Sequence, residues 1–351
     1  MSALLVRLRP EGAWRIGPES GSRGRSERIL PSDALYSAIT QALGALGWLE
    51  PWLAATAAAE AEPAVRLSSL FPAQEESLLA PPPAHLWPAP AARLRTGGAK
   101  LIPASLIRAL ALGEEWNEDQ WEVDGMSECL LRRGRRRATG SPYRFALRRG
   151  VAVDRLNTGL VALHETACIE FAEGAGLWCV AQFSHDSARH LWAPRIEAAF
   201  RLLADTGLGG ERRQGWGRFT VDRAERGVLP DLIWGRGGRA AATAGTSEDG
   251  AATNHVATEE RGWWLLSLFS PADSDKIDWN RGSFKMVERG GRVEASGQSK
   301  LHSRMVREGS LLLGDRPLGR AWNVAPPGFT AHPVWRAGFA VAIEMPWRVP
   351  A

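Results

Sequence analysis

The chain has 351 residues, 44% of them hydrophobic and 23% charged, enough apolar material for one large or two ordinary folded units and too much for wholesale disorder. Cys129, Cys168 and Cys179 cannot pair evenly, which excludes a disulfide scaffold and leaves buried, reduced thiols as the simplest expectation. The net charge is only +4, but of 43 basic residues only Lys100, Lys276, Lys285 and Lys300 are lysine; arginine's planar fork suits phosphates and stacks on bases, while the same Ala- and Arg-rich composition also follows from a GC-rich coding sequence.

Arg7, Arg9 and Arg15 interrupt any apolar core of a signal peptide, and Glu50 and Pro51 break the weakly polar stretch from Ala42 to Ala59 short of a membrane span, so a cytoplasmic protein is expected. Ala3 to Arg9 alternates and reads as a strand. A loop follows, with glycines at 12, 17, 21 and 24 and arginines at 15, 23, 25 and 28. A helix then starts with Ser32 as N-cap and Asp33 in its first turn, places Leu35, Ala38, Ile39, Ala42, Leu43 and Leu46 on one face, and stops at Gly47.

From about residue 50 to 165 the pattern breaks into short, proline-punctuated pieces, including Pro81, Pro82, Pro83, Pro88 and Pro90, and reads as a long irregular insertion. Thr166 to Phe171 and Leu177 to Phe183, joined by Glu173 to Gly176, carry a hairpin signature. A second helix is expected from Pro194, with Ile196, Ala199, Phe200 and Leu203 on one face, ending at Gly207; Arg218 to Val221 is a strand. Strand, helix, two strands, helix, strand is the β-α-β-β-α-β ferredoxin-like order, here with an insertion. Residues 1–230 thus form a first domain and 231–258 a flexible polar linker. Residues 259–351 form a smaller, strand-rich second domain with strands at Trp263–Phe269, Phe284–Glu288, Arg292–Ala295, Ser310–Leu313 and Phe339–Met345 and a hairpin turn at Gly290 and Gly291.

Among motifs, the most specific is the loop Gly207, Gly209, Gly210, Arg212, Arg213, Gly215, Trp216 and Gly217. Glycines there free backbone N–H groups to approach an anion, the arginines add charge and Trp216 offers a stacking face, all suited to single-stranded RNA; a purely structural turn is the alternative. It is no P-loop, since no Gly-Lys-Ser/Thr follows. Arg15, Arg23, Arg25 and Arg28 form a second basic loop that a ferredoxin-like sheet could bring to the same edge. Eight arginines between 132 and 149, with Tyr143 and Phe145 interleaved, would attract any polyanion without reading sequence. No HExxH, CxxC or Gly-x-Ser-x-Gly accompanies the seven histidines, so no metal, cofactor or nucleophile is expected. Asp33 reads as a first-turn residue rather than a general base.

Leu8-Arg9-Pro10 with Trp14 to Gly17, the helix start from Ser32 to Ala38, and the loop Gly207 to Phe219 resemble the RAMP superfamily of CRISPR proteins. Phe71-Pro72, the Pro81 to Pro88 tract, Gly98-Ala99-Lys100, Val153-Asp154-Arg155 and Gly328 to Gly338 with His332, Pro333 and Val334 narrow the resemblance to the family of Csm subunit four. That resemblance implies an α+β chain of two ferredoxin-like (RRM-like) RAMP domains. It implies a non-catalytic subunit of a type III-A ribonucleoprotein effector in antiviral defence, anchoring the repeat-derived 5′ tag of the guide RNA. The partners it implies are a large cyclase subunit on one side and a backbone RAMP subunit on the other. It adds Ser32, Lys100 and Arg155 to the RNA-contact candidates. The arginine run and the linker match no motif of that family. A RAMP endoribonuclease processing precursor guide RNA is the alternative; no histidine precedes His85, so the opening strand, basic loop and helix offer only Tyr36 as a weak proton-transfer candidate, and a catalytic His164 in the insertion would rescue that reading. A pure scaffold with a structural glycine loop is a third reading.

Overall fold

The structure is a computed structural model, and it describes every residue except 19–20, 60–61, 90–93, 135–139, 155, 157–158, 160, 236–259, 294–295 and 348–351. The strand β1 (Ser2–Glu11) is followed by a two-residue strand β2 (Ala13–Trp14) and by helices α1 (Ser32–Ala45) and α2 (Leu49–Ala55). Then come β3 (Val65–Leu67), β4 (Phe71–Gln74), β5 (Ser77–Ala80), the short α3 (Leu94–Gly97), β6 (Ile102–Pro103) and α4 (Ala104–Leu112). The pair β7 (Trp121–Val123) and β8 (Leu130–Arg132) precedes two long strands, β9 (Tyr143–Val153) and β10 (Val161–Phe171). β11 (Ala175–Phe183), α5 (Asp186–Thr206), β12 (Arg218–Val228) and α6 (Leu229–Trp234) complete this part.

The principal sheet has the order β12-β1-β11-β4-β5-β6, with β3 also on β11, and every pairing is antiparallel. Two sequence expectations are corrected here. The strands 166–171 and 177–183 do not pair: β10 pairs with β9 over its whole length and with β2, while β11 pairs with β1, β3 and β4. The neighbour of β11 is therefore supplied by residues 65–74, inside the stretch expected to be irregular. Those residues are buried on both faces, β3 and β4 throughout, so they lack the period-2 alternation that marks a half-exposed strand.

The helices also differ in detail from expectation. Pro31, not Ser32, is the N-cap of α1, and Leu46 is its C-cap rather than part of the buried face. α5 starts at Asp186, eight residues before Pro194, because the Nδ1 of His185 accepts a hydrogen bond from the Ala188 N–H (3.1 Å) and so caps the helix. Pro194 lies in its interior, and Gly207 closes it as expected. α1, α2 and α5 meet over an aromatic cluster: Tyr36 stacks on Trp52 (5.4 Å between ring centroids), Trp52 meets Trp192 edge-on (5.2 Å), and the Tyr36 hydroxyl and Thr56 Oγ1 share a hydrogen bond (2.7 Å).

The C-terminal segment carries β13 (Arg261–Leu265), β14 (Met286–Arg289), β15 (Ser303–Val306), β16 (Leu311–Leu313), β17 (Ala321–Asn323), β18 (Trp335–Ala337) and β19 (Ala342–Pro346). They form one sheet, β16-β13-β19, and the ribbons β14-β15 and β17-β18. No helix occurs among its described residues, unlike the ferredoxin-like pattern expected there. Gly290 and Gly291 open a longer connection from β14 to β15 instead of a tight hairpin. The linker expected at 231–258 is helical at its start, where α6 ends at Trp234; residues 236–258 lie outside the described ones.

Trp264, Leu266, Phe339 and Ile343 of this segment belong to the same continuous apolar core as Leu35, Trp52 and Trp178. A buried charge cluster ties the two parts further. Asp33 accepts two hydrogen bonds from Arg289 (2.9 and 3.0 Å) and faces Arg336 at 3.6 Å. Burial pushes the Asp33 carboxyl up to about 6 and the Arg289 guanidinium down to about 10. Desolvation thus outweighs attraction, so the pair sets register more than it adds stability.

Candidate nucleic-acid interface

The functional geometry is built around Arg15. Gly12, at φ +78°, breaks β1 so that Ala13 and Trp14 leave the main sheet and pair with β10. The next residue, Arg15, is only 6% exposed. Its guanidinium donates to the carbonyls of Ser22 (2.9 Å), Arg23 (3.0 Å) and Ala167 (3.1 Å), with a longer bond to Arg25 (3.4 Å). Its own carbonyl accepts from the Gly210 N–H (2.8 Å), and a Cβ on Gly209 would lie 2.3 Å from that oxygen. One buried arginine therefore holds the first basic loop with its side chain and the glycine loop with its backbone. The two loops expected to share an edge both contact Arg15, whose own guanidinium is spent on carbonyls inside the protein.

The glycine loop does not present free N–H groups in the way its sequence suggests. The N–H of Gly207 donates to Leu203, that of Leu208 to Gly217, that of Gly215 to Arg212 and that of Gly217 to Ala13. The glycines are needed for close backbone approach: a Cβ at Gly217 would lie 1.9 Å from the Leu208 carbonyl oxygen, and one at Gly207 2.6 Å from that of Trp216. Gly215, at φ +79°, faces open space and closes the 3₁₀ turn Arg212–Gln214. What this loop offers a ligand is its side chains: Arg213 exposed, Arg212 and Trp216 half-buried. Beside them Arg23 and Arg25, on the loop that Arg15 anchors, are exposed.

The remaining candidates separate. Ser32 is buried; its N–H donates to Ser69 Oγ (2.9 Å) and its hydroxyl accepts from the Leu268 N–H (3.0 Å), so it joins the two parts of the chain rather than facing solvent. Arg28 pairs with Glu128 and lies over the Phe145 ring (5.8 Å). Lys100 is exposed, and its N–H donates to the Glu128 carbonyl (2.8 Å). Glu128 thereby brings Arg28 and Lys100 together, and both line one cavity with Lys285 and Arg307, two cations that no sequence motif singles out. Arg155 lies outside the described residues.

Part of the arginine run is now placed. Arg132 lies over Trp121 (5.4 Å), and residues 135–139 lie outside the described residues. Arg144, Arg148 and Arg149 sit on β9, whose pairing with β10 makes an eleven-residue ribbon that sequence reasoning missed. Arg144 and Arg148 both bond Glu170 (2.8 and 2.5 Å) and hold its carboxyl below the usual range. On the opposite face Leu147, Val151, Val153, Val161 and Leu163 are exposed. Alternation within Tyr143 to Leu147 was the available signal. His164 lies across from Gly150, where a Cβ would approach its Nε2 to 2.6 Å. Cys168 and Cys179 lie in different sheets, both buried and free. Among the described residues no cluster of three His, Cys, Asp or Glu could hold a metal, and no helix is long and apolar enough to cross a membrane.

Residues 258–345 match the family model described as the CRISPR Csm4 C-terminal domain. No curated protein matches the sequence. The fold as a whole is similar to a chain of the Csm3-Csm4 subcomplex in the type III-A CRISPR-Cas interference complex, at 17% identity and TM-score 0.59 over 98% of this chain and 99% of that one. It is also similar to chains of the Csm1-Csm4 cassette crystallised with cA4 (15% identity, TM-score 0.54, all of both chains) and with pppApA (16%, 0.54, 98% and 97%). Residues 258–345 thus match a Csm4 C-terminal domain, on a chain whose fold is similar from end to end to chains of Csm4-containing structures.

Proposed function

We propose that this chain is the Csm4 subunit of a type III-A CRISPR effector, a non-catalytic RNA-binding protein that anchors the repeat-derived 5′ tag of the guide RNA. The observation that carries the RNA reading is the Arg15 junction, which holds the loop of Arg23 and Arg25 against the loop of Arg212, Arg213 and Trp216. Two arginine-bearing loops on one rigid support, one of them carrying the half-buried Trp216, suit a phosphate backbone with unstacked bases. Similar solved chains come from Csm3-Csm4 and Csm1-Csm4 assemblies, which supports a place between a cyclase subunit and a backbone subunit.

In this reading residues 1–230 are a ferredoxin-like RAMP domain. β1, α1, β4, β11, α5 and β12 occur in that order along the chain, with the sheet order β12-β1-β11-β4, and the large insertion falls between β4 and β11. Residues 259–351 are its smaller companion.

Affinity purification from the native host, with sequencing of bound RNA and identification of bound proteins, tests the proposal. Guides sharing one 5′ tag, recovered with cyclase and backbone subunits, are expected. Cleavage of precursor guide by the purified chain, abolished by His164→Ala, would replace the proposal with the endoribonuclease reading.

A further inference from the structure

A cavity of about 400 Å³ lies at the seam between the two parts of the chain. Three stretches far apart in sequence wall it: Arg28 ahead of α1, Pro81 to Pro88 with Gly97 to Lys100, and Lys285 with Arg307 to Ser310. Gly309 allows the close approach: at φ +81° its Cβ would lie 3.0 Å from that of Pro81, and the Trp264 indole N–H donates to the Pro81 carbonyl (3.1 Å).

The lining is unbalanced in charge. Arg28, Lys100, Lys285 and Arg307 face a single lining carboxylate, Glu308. Glu308 is already engaged, accepting a hydrogen bond from the Ser69 hydroxyl with Arg307 Nε at 4.0 Å. Arg28 is paired with Glu128, whereas Lys100 and Lys285 are exposed and make no ion pair among the described residues.

A second observation is independent of charge. Trp87 lines the same cavity, is only 7% exposed, and its buried indole N–H has no acceptor among the described residues; the buried Nε of Arg28 has none among them either. A buried donor without an acceptor is a standing cost to the fold. Spare donors and spare cations without spare acceptors complement an anion that carries further acceptor atoms.

We propose that this cavity binds one nucleotide of RNA, with Lys100, Lys285 and Arg307 on its phosphate and the Trp87 N–H donating to its base or ribose. The volume lies near the lower end of small-ligand sites, roughly 300 to 1,000 Å³, which suits one nucleotide and not a duplex. The inference rests on the RNA-binding reading above. A free nucleotide presents the same chemistry, so the test separates the two sources.

Binding of tag RNA, of the same RNA shortened by one nucleotide at either end, and of AMP would be measured for the wild type, Lys285→Ala/Arg307→Ala and Trp87→Phe, each checked by thermal melting. The double variant should bind tag RNA about tenfold more weakly, with a salt slope shallower by roughly 0.7 for each phosphate that the two cations neutralise in the wild type. Shortening the RNA at the end the cavity holds should make the double substitution silent. Trp87→Phe should cost severalfold at an unchanged slope. AMP binding that the double variant loses, with tag RNA binding untouched, would assign the cavity to a free nucleotide and overturn the RNA source. RNA and AMP binding unchanged in both variants overturns the cavity while leaving the loop reading intact; a wild type that binds no RNA overturns the loop reading instead.

Discussion

Replacing Arg15 by methionine keeps an apolar stem of similar length and deletes the guanidinium that holds the first basic loop. Three charge-assisted bonds of good length disappear, to Ser22, Arg23 and Ala167. At about 1.5 kcal/mol each, less what water recovers at the half-exposed Ser22 end, the loss of stability should be about 3 to 4 kcal/mol. Urea denaturation would show a lower midpoint at an unchanged slope. Because Arg15 orders the loop without touching the ligand, RNA affinity should also fall, but its salt slope should stay nearly that of the wild type. A full slope-unit drop with little loss of stability would place Arg15 on a phosphate and refute its role as a buried support.

Substituting Arg23, Arg25, Arg212 and Arg213 by alanine together should leave the unfolding free energy from urea titration within about 0.5 kcal/mol of the wild type and lower the salt slope for tag RNA by about 0.7 for every phosphate left without its arginine, read by filter binding over a salt series. Asp33→Ala strands Arg289 and Arg336 without their carboxylate and should destabilise by about 3 to 5 kcal/mol; a calorimetric midpoint within a degree of the wild type would contradict the clamp. His85, packed on Trp347 with neither ring nitrogen bonded among the described residues, is pushed down to about 4 by burial. The folded state keeps it neutral while the unfolded state takes up a proton below the ordinary value of 6.5, so stability should fall as the pH drops from about 6.5 towards 4. His85→Phe should flatten that decline, and an identical pH profile would show that His85 has no part in it.

Elements with strong local signals were legible in the sequence: β1 by its alternation, α1 by its apolar face, and the Gly207 stop of α5. The principal sheet was not, because its β3 and β4 are three and four residues long and buried on both faces, which erases periodicity. Proximity of Thr166–Phe171 to Leu177–Phe183 in sequence suggested a hairpin, yet β10 finds an eleven-residue partner in β9, a pairing hidden inside the arginine run. The two basic loops were visible as motifs, but not the cause of their juxtaposition, since nothing local marks Arg15 as buried and Arg23 as exposed. The glycines misled for a related reason: spacing shows where backbone can come close, and only the fold shows that it comes close to other backbone. Lys285 and Arg307 lie nearly two hundred residues or more from Lys100, and no local pattern joins them.

The most direct measurement of the central claim is ultraviolet cross-linking of guide RNA to this chain in the assembled effector, followed by mass spectrometric assignment of the joined nucleotide and residue. Cross-links from nucleotides of the 5′ tag to the segments around Arg23 and Arg213 to Trp216 are predicted. Cross-links confined to the spacer part of the guide, or none to either loop, would contradict it.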